Sequence, residues 1–435
     1  MSASPASPTS PTPIRNWAGN LTYASPRVHR PTDLDALRAL VRDTPRIRAL
    51  GSGHSFNRVA DSDHDLVRLD GLPQEIEVHR QAATGDAPTP TPTTVTVSAG
   101  TRYAELAAEL HRQGLALANM ASLPHISVAG SCATGTHGSG DRLRCLAAAV
   151  RGLELLGPDG ETVRLGRDTD PEAFPGAVVA LGALGVVTRL TLEVEPAFSV
   201  SQRVRLDVPL TEVAANVDAV FGSAYSVSLF TDWGGDTGRV WLKHREGEQA
   251  GAWDGGRPAD TPQHPVPGMP AGPATEQLGA VGPWFERLPH FRPEFAPSAG
   301  EELQSEFYLP RAAAAEGFAA LRGLGERIAP VLHISEVRTV RADDLWLSPA
   351  YGRDSVAFHF TWRRDPEAVA PVLAAVEERL APLGARPHWG KLSTLPPAGV
   401  SASYERAADF AALVKRFDPQ GKFRNTFTDT YFPRV

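Results

Sequence analysis

The sequence predicts an α+β protein built from two domains. Short strand patterns alternate with amphipathic helix patterns over residues 15–196. After them, strand, helix, strand, strand occurs twice in that order, which indicates one antiparallel sheet with helices on one face. With 435 residues, 42% of them hydrophobic, the chain can form more than one core. We therefore expect domains at 15–196 and 197–399.

Two helices and several strands are predicted in the first domain. Thr32 is the expected N-cap of the first helix and Thr101 that of the second, which should end at Gly114. The apolar faces of these helices are Leu34, Leu37, Leu40 and Val41, and then Tyr103, Leu106, Ala107 and Leu110. The strands are expected at 46–50, 75–80, 94–99, 151–157, 161–165 and 186–194.

The second domain contains a long segment without a helix or strand pattern. Residues 246–300 are rich in Gly, Pro and Asp, whose turn chemistry argues against regular structure. Such a long stretch is typical of either a lid or a packed covering segment. The elements expected before it are strands at 200–208, 226–233 and 239–244 and a helix at 210–221. After it, strand, helix, strand, strand and helix are expected over 303–383.

Composition argues against several functional classes. The net charge of -7, without a long basic run, argues against nucleic acid or an anionic membrane as a partner, and no apolar stretch approaches membrane length. Residues 1–14 lack the basic start and apolar core of a signal peptide, so we expect a disordered tail. Cys132 and Cys145, the only cysteines, are too few for a metal cluster. We expect no metal site and a cytoplasmic location.

Two loops of small residues are candidates for binding a phosphate. The first is Gly-Ser-Gly-His-Ser at 51–55, directly after an expected strand, and the second covers 130–140. Bare backbone and hydroxyl groups can contact a phosphate closely, and each loop carries a histidine, His54 or His137. The alternative is two turns with solvated histidines. Neither loop has the spacing of a Rossmann dinucleotide site, so a Rossmann domain is disfavoured.

Four polar side chains are expected on one face of the second sheet. Glu336 and Arg338 are two residues apart in one strand, so both point to the same side. In the next strand, His359 and Thr361 alternate with aromatic residues that should pack against helices. These four groups can therefore converge on one polar patch. A solvated, salt-bridged face would explain Glu336 and Arg338 equally well.

Three longer motifs resemble one family of flavoproteins. They are Arg-Ala-Leu-Gly-Ser-Gly-His-Ser at 48–55, Ala-Gly-Ser-x-Ala-Thr-Gly-Thr-His-Gly-Ser-Gly at 129–140, and Pro-His-Trp-Gly-Lys at 387–391. Together with matching segments at 15–20 and 120–130, they resemble the vanillyl-alcohol oxidase and p-cresol methylhydroxylase family. The resemblance extends over nearly all of residues 16–427. It implies an FAD-binding domain and a substrate-binding cap domain, whose antiparallel sheet is covered by helices.

The resemblance implies FAD as the cofactor, joined covalently to His54 through the 8-methyl group of the flavin. Residues 418–427 resemble the closing segment of the family, so 400–435 should join the FAD-binding domain at 15–196. The implied cofactor-binding residues are Ala49, Leu50, Gly51, Ser52, Gly53, His54, Ser55, Ser122, Ser127, Gly130, Thr134, Gly135, Thr136, His137, Val187 and His388.

The resemblance also implies a substrate. Members of the family that oxidise alditols bind the polyol with residues that match Ser122, Glu336, Arg338, Thr361 and Lys391, and His359 is a candidate proton acceptor. The expected catalytic residues are thus Ser122, Glu336, Arg338, His359, Thr361 and Lys391.

The implied reaction converts the terminal primary hydroxyl of alditols such as xylitol or sorbitol to an aldose, and reduces O2 to H2O2. We expect a monomer. The alternatives are an oxidase or dehydrogenase of sugar lactones and, as a class without catalysis, a flavin-free carbohydrate-binding protein.

Overall fold

The structure, a computed structural model, describes residues 13–80, 93–295 and 301–434. The predicted α+β class is confirmed, because helices and strands are interspersed in the first half and an antiparallel sheet with helices forms the second. Of the expected tail, residues 1–12 lie outside the described residues. Residue 14 does not belong to a tail, because the Ile14 carbonyl accepts a hydrogen bond from the Tyr23 N–H at 2.9 Å.

The first half combines short strands with four helices in its described residues. The strands are β1 (Arg27–His29), β2 (Ile47–Ala49), β3 (Asp65–Val67), β4 (Ile76–His79), β5 (Thr94–Ser98), β6 (Leu115–Ala116), β7 (Val150–Leu156), β8 (Thr162–Gly166), β9 (Val186–Glu193) and β10 (Glu195–Pro196). The helices are α1 (Leu34–Asp43), α2 (Tyr103–Arg112), α3 (Val128–Ala133) and α4 (Phe174–Val178).

Two sheets organise this half around one core. β1, β3 and β2 form a parallel sheet in that order, and β4, β5, β9, β7 and β8 form an antiparallel sheet. Leu37 and Val41 of α1 and Leu106 and Leu110 of α2 are buried in this core. The parallel sheet ends where the first small-residue loop begins, so the sheet fixes the position of that loop.

The second half is built on one large antiparallel sheet. Its strands are β11 (Ser199–Pro209), β12 (Ser226–Thr231), β13 (Thr237–Arg245), β14 (Arg257–Pro258), β15 (Val281–Pro283), β16 (Glu302–Pro310), β17 (Leu332–Val340), β18 (Ser355–Arg363) and β19 (Arg386–Pro387). Its helices are α5 (Leu210–Ala215), α6 (Val217–Phe221), α7 (Ala314–Arg322), α8 (Gly325–Ile328) and α9 (Pro366–Leu380). The chain ends with α10 (Pro397–Ala402), α11 (Ala407–Phe417) and α12 (Thr426–Tyr431).

The large sheet has one apolar face and one polar face near its centre. The central strands lie in the order β12, β17, β18 and β16. Phe358, Phe360 and Trp362 of β18 pack in a core with Phe318 of α7 and Val376 of α9. Because side chains alternate along a strand, the residues between these aromatics point to the opposite face. That face is where the predicted polar patch lies.

The irregular segment before β16 packs against the sheet. Of the expected 246–300, residues 246–295 are described, and their regular structure consists of two short strands, β14 and β15, and one 3-10 turn, Trp284–Glu286. Arg239 of β13 donates to the carbonyls of His264 and Pro265, at 3.0 and 2.6 Å. The buried amide of Gln202 donates to the Thr275 carbonyl at 3.2 Å. The segment is therefore a packed covering segment in this structure.

The C-terminal segment returns to the first half of the chain. The N–H of Ile47 in β2 donates to the Lys422 carbonyl at 3.0 Å. The buried guanidinium of Arg48 donates to the Phe423 carbonyl at 2.6 Å. The side-chain amide of Asn425 donates to the carbonyls of Arg58, Val59 and Asp61. These contacts support the proposed domain boundaries, which remain a prediction.

Several expected boundaries were wrong for local reasons. Asp33, not Thr32, is the N-cap of α1, because its carboxylate accepts from the Ala36 N–H at 2.8 Å, and Leu34 is 40% exposed. α2 follows Arg102, while the Thr101 carbonyl accepts from the Val128 N–H at 3.0 Å.

Two further expectations were wrong about where regular structure occurs. The helix expected at 210–221 is interrupted at Asn216, whose φ and ψ of -131° and 39° are not helical. Residues 130–133 of the second loop belong to α3. Within the described ranges, none of the helices combines the length and apolar content that crossing a bilayer would require.

Replacing Asn425 with alanine should destabilise the protein. The change removes one donor from each of three carbonyls, although Val59 keeps the Arg48 guanidinium and Arg58 keeps the Asp61 N–H. It also removes the carboxamide oxygen that caps α12 by accepting from the Thr428 N–H. We expect the free energy of unfolding in urea to fall by about 2–4 kcal/mol. Thr430→Ala, on the exposed side of the same helix, is the control and should change it by about 0.5 kcal/mol or less. Equal stability of the two variants would contradict this account of the C-terminal segment.

Candidate active site

A cavity lies between the two small-residue loops and the face of the large sheet opposite its helices. Every predicted site residue lines it except Gly135, whose carbonyl accepts a hydrogen bond from the Tyr308 hydroxyl at 3.4 Å. The predicted residues on its wall are Ala49, Leu50, Gly51, Ser52, Gly53, His54, Ser55, Ser122, Ser127, Gly130, Thr134, Thr136, His137, Val187, Glu336, Arg338, His359, Thr361, His388 and Lys391.

The first loop leaves β2 and presents its backbone to the cavity. Gly53 has a φ of +69°, a conformation that favours glycine, and its carbonyl accepts from the Trp17 N–H at 2.8 Å. A Cβ on Gly51 would lie 2.7 Å from the Ser127 Oγ, and one on Gly130 would lie 2.8 Å from the same atom. Glycine at both positions therefore leaves room for the Ser127 hydroxyl between the two loops.

His54 lies at the inner end of the first loop, with its ring centroid 4.3 Å from that of Trp17. Its Nε2 atom is buried and has no hydrogen-bond partner among the described residues. Burial, followed by the positive charge of Lys391, lowers the pKa of His54 to about 3. The imidazole is therefore neutral near pH 7, which is the nucleophilic form.

The four polar residues predicted on one sheet face do lie together. Glu336 of β17 pairs with His359 of β18 in the antiparallel register, and both line the cavity with Arg338 and Thr361. The Arg338 guanidinium donates to the Ser122 Oγ at 3.3 Å, which links this face to the first half of the chain. The patch is buried rather than solvated, so the alternative of an exposed salt-bridged face is wrong.

Glu306 of β16 is the central charge of the site and is not among the residues predicted from the sequence. Its carboxylate accepts from His137 Nε2 at 2.9 Å, from Arg338 Nη2 at 2.8 Å and from Lys391 Nζ at 2.7 Å. The side chain is only 1% exposed. Burial favours the neutral acid, yet Lys391, His137 and Arg338 hold the pKa of Glu306 well below its usual range. Glu306 is therefore an anion at neutral pH.

The signal for Glu306 was present in the sequence. Glu302, Gln304, Glu306 and Tyr308 occupy alternate positions of β16 and so share one face. The register with β18 places Gln304 beside Thr361 and Glu306 beside His359. In the structure, the first three line the cavity.

Lys391, His359 and Thr361 form a short hydrogen-bonded chain. The ammonium group of Lys391 donates to His359 Nδ1 at 2.8 Å, so the proton of the neutral ring lies on Nε2 and is donated to Thr361 Oγ1 at 3.1 Å. Burial and then Lys391 hold the pKa of His359 well below its usual value, which agrees with a neutral ring. Both nitrogens of His359 are thus engaged, and the ring orients its two neighbours.

Burial and the neighbouring carboxylates shift the pKa values of Arg338 and Lys391 in opposite directions. Burial acts to lower the pKa of Arg338, but Glu336 and Glu306 raise it above its usual value. Burial lowers the pKa of Lys391, and Glu306 opposes that shift. The site therefore holds an arginine that stays charged and a lysine whose ammonium form depends on Glu306.

Two protein families and several known proteins are similar to this chain in sequence. The family of FAD binding domains matches residues 26–166, and the D-arabinono-1,4-lactone oxidase family matches residues 301–431. An alditol oxidase from Streptomyces sp. (strain IKD472 / FERM P-14339) is 51% identical and covers 96% of this chain and 98% of its own. An L-gulono-1,4-lactone dehydrogenase from Mycobacterium tuberculosis is 28% identical, over 95% and 97%.

Solved structures share the fold at low identity. A cholesterol oxidase from B. sterolicum has a TM-score of 0.75 and 14% identity, and the match covers 98% of this chain and 99% of that chain. The FAD binding domain match and the 51% identical alditol oxidase identify this chain as an FAD-dependent oxidoreductase. More particularly, the chain belongs to the vanillyl-alcohol oxidase family of flavoproteins.

The residues present fit FAD. Backbone at Gly51 and Gly53 is open to the cavity and can approach a pyrophosphate without steric cost. The Ser127 Oγ and the His54 Nε2 are buried without hydrogen-bond partners among the described residues. Buried polar groups in native proteins are nearly always paired, so the Ser127 Oγ can bind a polar group of FAD and the His54 Nε2 can bond to the flavin.

Replacing Glu306 with glutamine should destabilise the protein strongly. The amide keeps the size of the side chain but leaves Lys391 and Arg338 without their shared counter-charge. Breaking a buried ion pair by removing one partner costs about 3–5 kcal/mol, which urea denaturation at pH 7 can measure. Glu248→Gln, in an exposed ion pair with Arg142, is the control and should cost about 0–1 kcal/mol.

The same variant should be less sensitive to acid. Because the pKa of Glu306 is lower in the folded state than its ordinary value of 4.5, its stabilising effect is complete above that value. The effect is lost as the pH falls below it. The stability difference between wild type and Glu306→Gln should therefore shrink on acidification below pH 4.5. A difference that stays constant with pH would show that Glu306 is not an ion in the folded protein.

Proposed function

We propose that this protein oxidises the terminal primary hydroxyl of alditols such as xylitol and sorbitol to aldoses, with O2 as the final electron acceptor. One observation carries the proposal most directly. Lys391 and Arg338 lie side by side on the cavity wall, held by Glu306, opposite the loops that fit FAD. The relative with 51% identity that is named an alditol oxidase supports the same substrate class.

The two cations would stabilise negative charge on the reacting oxygen. Oxidation removes a proton from the hydroxyl and a hydride from its carbon, so the oxygen gains alkoxide character in the transition state. Bound FAD would supply the acceptor for the hydride, and O2 would take up the two electrons, with two protons, as H2O2. The Lys391 ammonium and the Arg338 guanidinium are placed beforehand, so they need no reorganisation as the charge develops.

The remaining groups suit a chain of hydroxyls. Glu336 can accept from hydroxyls, and Ser122 and Thr361 can both donate and accept. Gln304 adds an amide to the same wall. Each secondary hydroxyl of an alditol thus has a polar group to contact, whereas a phenol would leave most of these buried groups unpaired. We propose an alditol for this reason.

Sugar-lactone oxidation is the second candidate. The match of residues 301–431 to the D-arabinono-1,4-lactone oxidase family and the L-gulono-1,4-lactone dehydrogenase relative favour it. A lactone has fewer free hydroxyls than an alditol and also has a ring, so the two substrates would contact different groups of the cavity. Turnover on a panel of both substrate classes separates them.

The test is the rate of H2O2 release with xylitol, sorbitol, L-gulono-1,4-lactone and 1-butanol. We expect release with xylitol and sorbitol, and much weaker release with the lactone and the simple alcohol. Faster turnover of the lactone would reverse the order of the two candidates. Reduction of an added dye without H2O2 release would mean that another electron acceptor takes the place of O2 in the proposal.

We also propose that FAD is attached covalently to His54. The buried, unpartnered Nε2 and the neutral ring support this, as does the match of the loop to the family motif. Precipitation in acid should give a yellow, fluorescent polypeptide, while His54→Ala should release all of its flavin into the supernatant. His79→Ala, on exposed β4, is the control and should stay yellow. Flavin found wholly in the wild-type supernatant contradicts the attachment.

Lys391→Ala and Arg338→Ala should slow the chemical step more than they weaken binding. A group aimed at developing charge acts mainly on the transition state. We expect flavin reduction by xylitol, measured by anaerobic stopped flow, to fall by about two to three orders of magnitude in each variant. Arg322→Ala, in an exposed ion pair with Asp236, should leave the rate unchanged.

Thr361→Ala should instead raise the apparent KM, because Thr361 contacts a hydroxyl away from the reacting carbon in this proposal. If both charge variants reduced flavin at near-normal rates, Lys391 and Arg338 would be groups that only bind substrate. The activating group would then have to be His359 or Ser122.

We also propose that the protein is a monomer and is located in the cytoplasm. Cys132 and Cys145 are both buried and free, which suits a reducing compartment. Light scattering after size-exclusion chromatography tests the oligomeric state against the 46.5 kDa mass of one chain.

A further inference from the structure

His290 lies on the cavity wall but outside the residues given a role so far. It belongs to the covering segment, between β15 and β16, and only 3% of its surface is exposed. Its backbone N–H donates to the Ser122 carbonyl at 3.2 Å. The covering segment therefore reaches the same point of the first half that Arg338 contacts through the Ser122 hydroxyl.

The imidazole of His290 contacts the carboxylate of Glu336. Its Nε2 lies 2.8 Å from Glu336 Oε1 and 3.2 Å from Ser228 Oγ. A carboxylate only accepts hydrogen bonds, so the ring carries a proton on Nε2 and donates it to Glu336. Burial lowers the pKa of His290 to about 4, which agrees with a neutral ring holding one proton.

Because of this contact, the two oxygens of Glu336 have different surroundings: Oε1 contacts the protein, and Oε2 is left to the cavity. Oε1 accepts from His290 and lies 3.5 Å from Arg338 Nε. Oε2 accepts no hydrogen bond from the residues that the structure describes. An ionised carboxylate that lines a cavity can accept several hydrogen bonds, so Oε2 is free to accept one from a ligand.

The ring of His290 is fixed in place by its surroundings. The buried Nζ of Lys243 donates to the carbonyls of Leu288 and Pro289, the latter at 3.1 Å. Phe230 and Trp241 contact the imidazole edge to face, with centroid distances of 5.2 and 5.3 Å. The backbone before His290 and its ring are therefore both held, which limits the imidazole to one orientation.

We propose that His290 is a positioning residue for substrate selection. By holding Glu336 Oε1, it turns Oε2 toward the cavity, where Oε2 accepts a hydrogen bond from a secondary hydroxyl of the polyol chain. His290 thereby favours alditols over alcohols without secondary hydroxyls. The inference rests on the proposed alditol oxidation and extends it to a residue that acts through Glu336.

His290→Leu and His290→Gln test the proposal in the holoenzyme. Leucine fills similar space without a donor, whereas the amide nitrogen of glutamine can occupy the position of Nε2. We expect the leucine variant to raise KM for xylitol about 10- to 100-fold, as loss of a hydrogen bond to a charged group does, with kcat within about threefold. The glutamine variant should recover most of the loss. A titration of flavin absorbance with xylitol should show the same change in Kd.

His264→Leu is the matched control. His264 lies in the same segment, is buried and packs on Phe291, but does not line the cavity. We expect its KM for xylitol to equal that of wild type. A rise equal to that of His290→Leu would mean that loosening the segment causes the effect, and would overturn the proposal. An equal rise in the glutamine and leucine variants of His290 would overturn it as well.

A double-mutant cycle with Glu336→Gln separates action through Glu336 from direct contact. If His290 acts only through Glu336, His290→Leu should add little further loss in the Glu336→Gln background. If the wild type oxidises alditols and the two losses are additive, the inference about His290 is wrong while the proposed function stands. A wild type without alditol turnover overturns the proposed function and this inference with it.

Discussion

The buried carboxylate of Glu306 is the interaction on which the site depends. It neutralises Lys391 and Arg338 and also accepts from His137, a residue of the second small-residue loop. Two cations could not stay this close and this buried without a shared counter-charge, because desolvating each one is costly. The same carboxylate therefore joins the polar face of the large sheet to the loops that fit FAD. It also holds the two cations that the proposed chemistry requires in their charged forms.

The fold explains how so many charges can be buried at one place. Helices α7 and α9 cover the apolar face of the large sheet, which leaves the alternate residues of β16, β17 and β18 on the face toward the cavity. The two small-residue loops of the first half lie across the cavity from that face. The covering segment closes the remaining side and contributes His290, so it is part of the site as well as a cover.

The sequence predicted the parts of the site that follow from strand periodicity and from motif resemblance. Glu336 with Arg338, and His359 with Thr361, share a face because each pair is two residues apart in a strand. Glu306 obeys the same rule, but only the register between β16 and β18 shows that it faces the same patch. His290 could not be predicted at all, because it lies in a segment without periodicity, where tertiary contacts alone fix the chain. The N-cap at Asp33 was missed because two adjacent residues can both cap a helix.

In the proposed reaction, Lys391 and Arg338 contact the reacting hydroxyl of an alditol while Glu306 holds both of them. A crystal structure of the holoenzyme with bound xylitol, its flavin reduced to prevent turnover, would show these contacts. We expect a terminal hydroxyl within hydrogen-bond distance of Lys391 Nζ and the Arg338 guanidinium, with an inner hydroxyl near Thr361. Both cations should keep their contacts to Glu306. Xylitol bound with its terminal hydroxyls away from both cations would show that Lys391 and Arg338 do not act on the reacting oxygen.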